Sequence, residues 1–270
     1  MSTSPSSPRA KKHFGQNFLH DPSVLEAVVR ACAPQPGQLV VELGAGTGNL
    51  TEVLARHADQ VLAVERDRDM LPLLRERFAG SPHVTLLEAD AKALDLADLA
   101  RGQPVLLCGN IPYHLSAPLL GLALDAAELV DRVVFMVQRE LGQRLAASAG
   151  TRACGALSVL LQQRFDLDLP LRIGRGAFKP APRVDSVLLR LQPQHPPRHP
   201  VDDATLFSRV VHTAFAQRRK QLGNALGRAF PDVDGAFLNT GIAASRRAES
   251  LTMAEWVSLT RALDPGAQGG

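Results

Sequence analysis

The sequence predicts an α/β fold: a largely parallel sheet covered on both faces by helices, followed by a small all-helical domain. Three observations predict it. Short β-branched apolar runs alternate with helix-length stretches as far as about residue 193. A glycine-rich turn joins the first of these runs to a helix start. Beyond a proline-rich connector the strand pattern stops and helical periodicity takes over.

The strand candidates are "QLVVELG" (38–44), "QVLAVE" (60–65), "VTLLEAD" (84–90), "PVLLCGN" (104–110) and "RVVFMVQ" (132–138). Nearly continuous apolar strands imply burial on both faces, which is the mark of a parallel sheet. Helix-length segments such as "NLTEVLARHA" and "DMLPLLRERFA" lie between them. "FDLDLPLRI" and "DSVLLRLQP" alternate polar and apolar residues and read as later strands, antiparallel at one edge. "QPQHPPRHP" (192–200) is an extended connector. "ATLFSRVVHTAFAQRRKQLGNALGRAF" and "TMAEWVSLTRALD" then read as helical. The expected organisation is a basic tail at 1–12, a sheet domain at 13–193, a linker at 194–200 and a helical domain at 201–270.

Composition narrows the function classes. The chain has 270 residues, 45% of them hydrophobic, enough for one large domain or two unequal ones. It has no run of about 18 apolar residues, so no membrane-spanning helix is expected. The start, "MSTSPSSPRAKK", is polar and basic with no apolar stretch behind it, and reads as a disordered tail instead of a signal peptide. Cys32, Cys108 and Cys154 are far apart and odd in number, which suits a reducing cytosol. His212 and Cys154 show no ligand partners, so no metal is assigned. Trp256, Met253 and Leu251 read as helix core, and His114 as a cap or loop residue.

Charge is segregated. Residues 21–138 carry 9 basic and 16 acidic side chains, residues 139–190 carry 9 and 4, and residues 191–230 carry 6 and 2. A basic second half beside an acidic first half suggests a polyanionic partner for one face. Solvated helix faces account for the same numbers about as well.

"VVELGAGTGNLT" is a strand, a glycine turn and a helix start. Gly44, Gly46 and Gly48 allow a sharp turn and a close approach of backbone to ligand. Such turns line nucleotide crevices at the carboxyl ends of strands, although they also serve plain strand-to-helix packing. Glu65 ends the second strand 21 residues after Gly44, where a carboxylate can accept both ribose hydroxyl hydrogens. Asp90 ends the third strand and could accept from an adenine amino group; taken singly, either carboxylate reads better as a loop residue capping a helix, and their common placement at successive strand ends is what informs. The spacing G-x-G-x-G is not the dinucleotide pattern, and Glu42 would repel a pyrophosphate. S-adenosyl-L-methionine, with ribose, adenine and a sulfonium arm, suits these residues better.

"GNIPYHLS" (109–116) leaves the fourth strand with an amide, a ring-fixed backbone and a phenol ring. Transfer of a methyl group to an exocyclic base amine would use all three. The side-chain oxygen of Asn110 and the backbone carbonyl of Ile111 or Pro112 would accept the two amine hydrogens, orient the lone pair and stabilise developing positive charge. Tyr113 would stack on the unstacked base, a contact worth about 1–3 kcal/mol. A simple turn leaving a strand would use Asn and Pro as well.

In order and spacing, "HFGQNFL", "VVELGAGTGNLT", "AVERD", "EADA", "GNIPY", "MVQRE" and "FKPAPRVDSVLLRL" closely resemble the ribosomal RNA adenine N6,N6-dimethyltransferase family, over nearly the whole chain. The resemblance implies a Rossmann-like class I methyltransferase sheet with a small all-α C-terminal domain. It implies cofactor contacts at Asn17, Leu19, Gly44, Gly46, Glu65, Asp90 and Asn110. It places Asn110, Pro112, Tyr113 and Phe178 around the target adenine, Phe178 as a second aromatic wall; without the resemblance Phe178 would read as core or a loop anchor. "AFAQRRKQLGNAL" is similar to a basic helix of the family, so Arg218, Arg219 and Lys220 are expected to touch RNA phosphates, weakening steeply with salt.

The implied activity is S-adenosylmethionine-dependent dimethylation of two adjacent adenosines near the 3′ end of small-subunit ribosomal RNA. The expected setting is an immature 30S-type particle in the cytoplasm, with the enzyme a monomer. Ile111, Ala45 and Thr47 depart conservatively from the commonest pattern. Ile111 also occurs in the large-subunit, macrolide-resistance branch, but that branch typically has asparagine where Asp185 stands and lacks the "FGQNFL" and "QRRK" forms. That branch and a non-catalytic nucleic-acid-binding factor on the same fold are the competing readings.

Overall fold

A computed structural model describes residues 16–264. Those residues form two compact units, 16–142 with Asp168–Pro193, and Gln143–Leu167 with 194–264.

The first unit is built on a sheet. Its chain begins with β1 (Phe18–Leu19) and α1 (Pro22–Cys32). Asp21 caps α1, its carboxylate accepting from the Ser23 and Val24 N–H groups at 2.9 and 3.2 Å. Then follow β2 (Leu39–Leu43), α2 (Asn49–Leu54), β3 (Gln60–Glu65), α3 (Leu71–Arg77), β4 (Val84–Glu88), α4 (Leu96–Ala100), β5 (Val105–Gly109), α5 (Ser116–Asp125), β6 (Val130–Gln138) and α6 (Arg139–Ala146). After α7 (Ala156–Arg164), the strands β7 (Phe165–Ile173), β8 (Phe178–Lys179) and β9 (Ser186–Pro193) complete the strand set among the described residues.

The sheet order is β4-β3-β2-β5-β6-β9-β7, with β1 and β8 forming a separate ribbon. The first five of these strands run parallel, and β9 is antiparallel to β6. Each strand expected from the sequence is present within two residues of its predicted ends. Val40, Val41, Leu43, Val105, Leu106 and Leu107 are buried, as strands covered on both faces require. β7 lies at the sheet's edge and alternates exposed and covered residues, which is what its polar–apolar alternation foretells.

From β2 the chain builds outward through β3 to β4, then returns to lay β5 on the other side of β2. This switch point leaves a crevice between the carboxyl ends of β2 and β5, the place where open α/β sheets bind ligands. The two strands come very close there. A Cβ at Gly109 would lie 2.4 Å from the Leu43 carbonyl oxygen, so the position before Asn110 has room for hydrogen alone.

In the second unit α7 packs on α8 (Ala204–Ala216), which also meets α9 (Leu222–Leu226) and α11 (Met253–Ala262); α10 (Val233–Thr240) packs on α11. Trp256, fully buried, stacks on Phe215 with ring centroids 5.8 Å apart, and Met253 and Leu251 are buried with it. Thr252 and Glu255 form a capping box at the start of α11.

Three features depart from the sequence expectation. Residues 143–167, expected in the sheet domain, belong to the helical unit, because α7 buries Val159, Leu160 and Leu161 there. The connector, expected as an extended linker between domains, belongs to the second unit: Arg198 pairs with Asp166 at 2.8 Å, and Gln163 donates to the His199 carbonyl at 3.0 Å. The third departure is at 217–221, where the expected continuous helix breaks between α8 and α9. The buried stripe of α8 is Leu206, Phe207, Val210, Val211 and Ala214. Another turn of the same helix would carry that stripe onto Gln217, Arg218 and Gln221. Ending at Ala216 keeps Arg218, Arg219 and Lys220 exposed. The tail at 1–12 and the first residues of "HFGQNFL" lie outside the described residues.

Substituting Gly109→Ala should destabilise the protein by about 1–3 kcal/mol, because overpacking here presses on backbone. Urea unfolding would show this as a lower midpoint with an unchanged slope; an unshifted midpoint would mean that β2 and β5 separate freely.

Candidate active site

The crevice at the switch point is a cavity of ≈ 220 Å³. Its walls come from β1, from the turn after β2, from the ends of β3 and β4, and from "NIPYHL" after β5. Each contributes through the local chemistry of its own segment.

The glycine turn is held from the neighbouring strand. Gly44 and Ala45 donate their N–H groups to the Val64 carbonyl at 2.9 and 3.1 Å. Gly46, at φ 56°, has the Phe18 ring 3.1 Å from where a Cβ would stand. Its N–H donates to Glu65 Oε2 at 2.7 Å. Glu65 Oε1 accepts from the N–H groups of Arg66 and Asp67 at 2.8 and 2.7 Å. Glu65 is therefore first a clamp on the turn. With one bond recorded at Oε2, that oxygen keeps acceptor capacity on the cleft side.

Asp90 combines two roles that the sequence treated as alternatives. It caps the short 3₁₀ turn Ala91–Ala93 through the Lys92 N–H at 3.1 Å, and it lines the cleft. Arg66 bonds its other oxygen at 2.9 Å.

Asn110 is oriented by a partner 93 positions earlier. Its Nδ2 donates to the Asn17 carbonyl at 2.6 Å. A carboxamide is planar, so fixing the nitrogen fixes Oδ1, which takes no hydrogen bond among the described residues. The neighbouring carbonyls differ in the same way. The Pro112 oxygen accepts from Leu115 N–H at 2.8 Å, closing the 3₁₀ turn Tyr113–Leu115, whereas no bond reaches the Ile111 oxygen among the described residues. Ile111 is thus the carbonyl left available of the two that the sequence offered. The Tyr113 hydroxyl shares a 2.7 Å hydrogen bond with Ser186 Oγ, and burial pushes its phenol pKa up against the pull of that bond. His114 sits in the same 3₁₀ turn and lines the cleft.

Asn17, Leu19, Gly44, Gly46, Glu65, Asp90, Asn110, Pro112 and Tyr113 thus converge on one cavity. Phe178 does not line it. Its side chain is 3% exposed and belongs to the core cluster with Leu19, Leu25 and Val28. The β1–β8 ribbon, with Leu19 opposite Phe178, explains this: Phe178 supports the strand that forms the cleft wall instead of facing the cavity. Burial in the core cluster is what the structure shows for Phe178.

Sequence reasoning missed several residues around the cavity. Arg77 donates to the Thr47 carbonyl at 2.6 Å and to Asn49 Oδ1 at 3.0 Å, and pairs with Glu52, latching α3 to the turn. Asn49 in turn donates to the Leu19 carbonyl at 2.8 Å. Ser186 and Thr51 likewise act on residues distant in sequence or on another element. None of these has a local signal.

Glu42, read from the sequence as a repulsive charge, is 1% exposed. It accepts from the Thr51 hydroxyl at 2.5 Å. Burial pushes its carboxyl up to about 7, opposed by the Thr51 bond and reinforced by the charge of Glu65.

The family profile of "Ribosomal RNA adenine dimethylase" matches residues 8–264. The chain belongs to this family. Among curated relatives, the dimethylase is 45% identical over 269 residues to "Ribosomal RNA small subunit methyltransferase A" of Anaeromyxobacter sp. (strain K), covering 94% of each chain. It is 43% identical over 263 residues to the protein of that name from Geobacter sulfurreducens, covering 94% of this chain and 95% of that one. Among solved structures, the dimethylase is similar to the 23S rRNA methyltransferase ErmE, with TM-score 0.73 and 25% identity over 92% of this chain and 100% of that one. A dimethyladenosine transferase from Plasmodium falciparum shares the fold, with TM-score 0.74 and 21% identity over 90% of this chain and 95% of that one. The dimethylase sheet is a class I methyltransferase sheet, as expected.

Between the unfolded and folded titration of Glu42, about 4.5 and about 7, the native state holds the extra proton. Stability contributed by the neutral carboxyl is full below the lower value and is lost as pH rises through the upper one, by at most roughly 3 kcal/mol. Glu42→Gln should flatten the stability profile in that window. Urea-unfolding profiles of parent and variant that run parallel would show that Glu42 does not titrate there.

Proposed function

We propose that this rRNA adenine dimethylase transfers methyl groups from S-adenosyl-L-methionine to the N6 amines of two adjacent adenosines near the 3′ end of small-subunit ribosomal RNA. The observation that carries the reading is the fixed amide of Asn110 beside the unbonded Ile111 carbonyl, both in the cleft formed by the glycine turn.

The cleft residues suit the methyl donor. Glu65 and Asp90 offer acceptors for ribose hydroxyls and an adenine amine. Gly44, Gly46, Asn17 and Leu19 would hold it mainly through backbone and shape. When bound, it supplies a methyl group activated by a sulfonium.

The chain's own residues prepare the acceptor. An adenine amine is a poor nucleophile because its lone pair is delocalised into the ring. Asn110 Oδ1 and the Ile111 carbonyl accept its two hydrogens, turn the lone pair out of conjugation and stabilise the cation as it forms. The Pro112 ring fixes its own φ and restricts Ile111 before it, which steadies the Ile111 carbonyl. Tyr113, its hydroxyl held by Ser186, presents a ring for the base to stack on. The methylated ammonium is acidic enough to lose its proton to water, so no strong general base is required.

Relatives named for the small subunit, at 43–45% identity, support that target over the large-subunit one, whose solved representative is 25% identical. Exposed Arg218, Arg219 and Lys220, in the turn between α8 and α9, would contact RNA phosphates. A monomer acting in the cytoplasm on an immature 30S-type particle completes the proposal. Among the described residues no helix is long and apolar enough to cross a membrane.

Methyl-transfer assays should yield N6,N6-dimethyladenosine on small-subunit particles and none on free large-subunit RNA. The reverse pattern would assign the enzyme to the large subunit, and RNA binding without transfer would make it a non-catalytic factor. Asn110→Ala should cut kcat by about 10²–10³ while leaving thermal unfolding close to the parent's. Turnover near the parent's would remove Asn110 from the chemistry.

A further inference from the structure

The sheet unit has a second recess, of ≈ 270 Å³, lined by Gln138, Arg139, Arg175, Arg183, Val184 and Asp185, with Glu140 at its edge. Three guanidinium groups reach it from three segments. Arg139 opens α6, Arg175 begins the 3₁₀ turn Arg175–Ala177, and Arg183 lies in the loop before β9. The Arg139 N–H donates to the Asp185 carbonyl at 3.0 Å, latching the start of α6 to the approach to β9.

The charges here are poorly satisfied. The Asp185 carboxylate lies 3.6 Å from the Arg139 guanidinium and 3.9 Å from that of Arg175, too far for hydrogen bonds. Arg183 is exposed and has no ion-pair partner among the described residues. Three guanidiniums thus face two carboxylates, and most of their donors remain available to solvent. Arginine forks suit the oxygens of a phosphate, which accept two parallel bonds from each.

The recess borders the candidate active site. Gln138 pairs in register with Ser186 across β6 and β9, and Ser186 holds the Tyr113 hydroxyl. One step along the chain therefore separates Asp185, in the recess, from the residue that orients the stacking ring. An RNA strand that delivers a base to Tyr113 must carry its sugar-phosphate backbone past this point.

We propose that the recess binds a phosphodiester of the target RNA strand, beside the base that Tyr113 receives, with Arg139, Arg175 and Arg183 as donors. The proposal rests on the RNA-modifying function above and locates a positioning site for that substrate. Asp185 keeps the guanidiniums gathered in the empty protein and yields them to the stronger anion. Val184, 40% exposed, adds an apolar edge for the sugar.

The test is RNA binding by the full chain, read by fluorescence anisotropy across a salt series. The probe is a labelled hairpin from the 3′ region of small-subunit ribosomal RNA. The double variant Arg175→Ala/Arg183→Ala should weaken binding about tenfold and reduce the slope of log K against log salt by about 0.7–0.9, one phosphate's worth. Asp185→Asn should tighten binding, a direction that loss of a structural ion pair would not produce. Arg101→Gln, exposed on the turn before β5 at the other end of the strands, is the charge control and should change neither by a comparable amount. S-adenosylmethionine affinity should be unchanged throughout.

An unchanged slope in the double variant, or Asp185→Asn binding more weakly than the parent, would overturn the site. So would parent protein with no measurable RNA binding. Because the readout is binding, protein that holds the hairpin but does not dimethylate adenine would overturn the proposed function alone, and the recess would still be decided by the slopes.

Discussion

The site depends above all on where one carboxylate is satisfied. Glu65 ends β3 and accepts three backbone N–H groups, from Gly46 across the strand gap and from Arg66 and Asp67 in its own chain. Bonds from backbone N–H to a charged carboxylate are among the stronger ones in proteins. They hold a turn made of residues that, left to themselves, would sample many conformations. The glycines make room for a ligand, and Glu65 keeps that room in one shape.

A second constraint completes the cavity from the other end of the sequence. β1 is only two residues long and cannot be stable alone. It is held by β8, by the Asn49 side chain on the Leu19 carbonyl, and by the Phe18 ring over Gly46. In return, the Asn17 carbonyl sets the orientation of Asn110. The acceptor geometry of the fourth-strand motif thus depends on a segment that packs over the glycine turn. The glycine turn and the motif after β5 therefore share one wall of the cavity.

Where sequence reading went astray, it did so for a common reason. The basic run 218–220 looked helical because nothing in its propensity breaks a helix. The break follows from which face of α8 is already buried. Residues 143–164 lie between β6 and β7 in sequence, but α7 packs on α8 in the second unit.

By itself the sequence determined the parallel strands, their order along the chain, the glycine turn and the motif that follows β5. These depend on local composition and on periods of two or about four residues, which one chain displays directly. Strand-end placement of Glu65, Asp90 and Asn110 was legible for that reason. Only the tertiary structure decided that Glu65 clamps the turn, that Asn17 holds Asn110, that Arg77 latches the loop, and that Ile111 rather than Pro112 keeps its carbonyl available. Those outcomes depend on which polar group meets which across tens of residues, and a hydrogen-bond partner is fixed by the packing of whole elements, not by its neighbours in the chain.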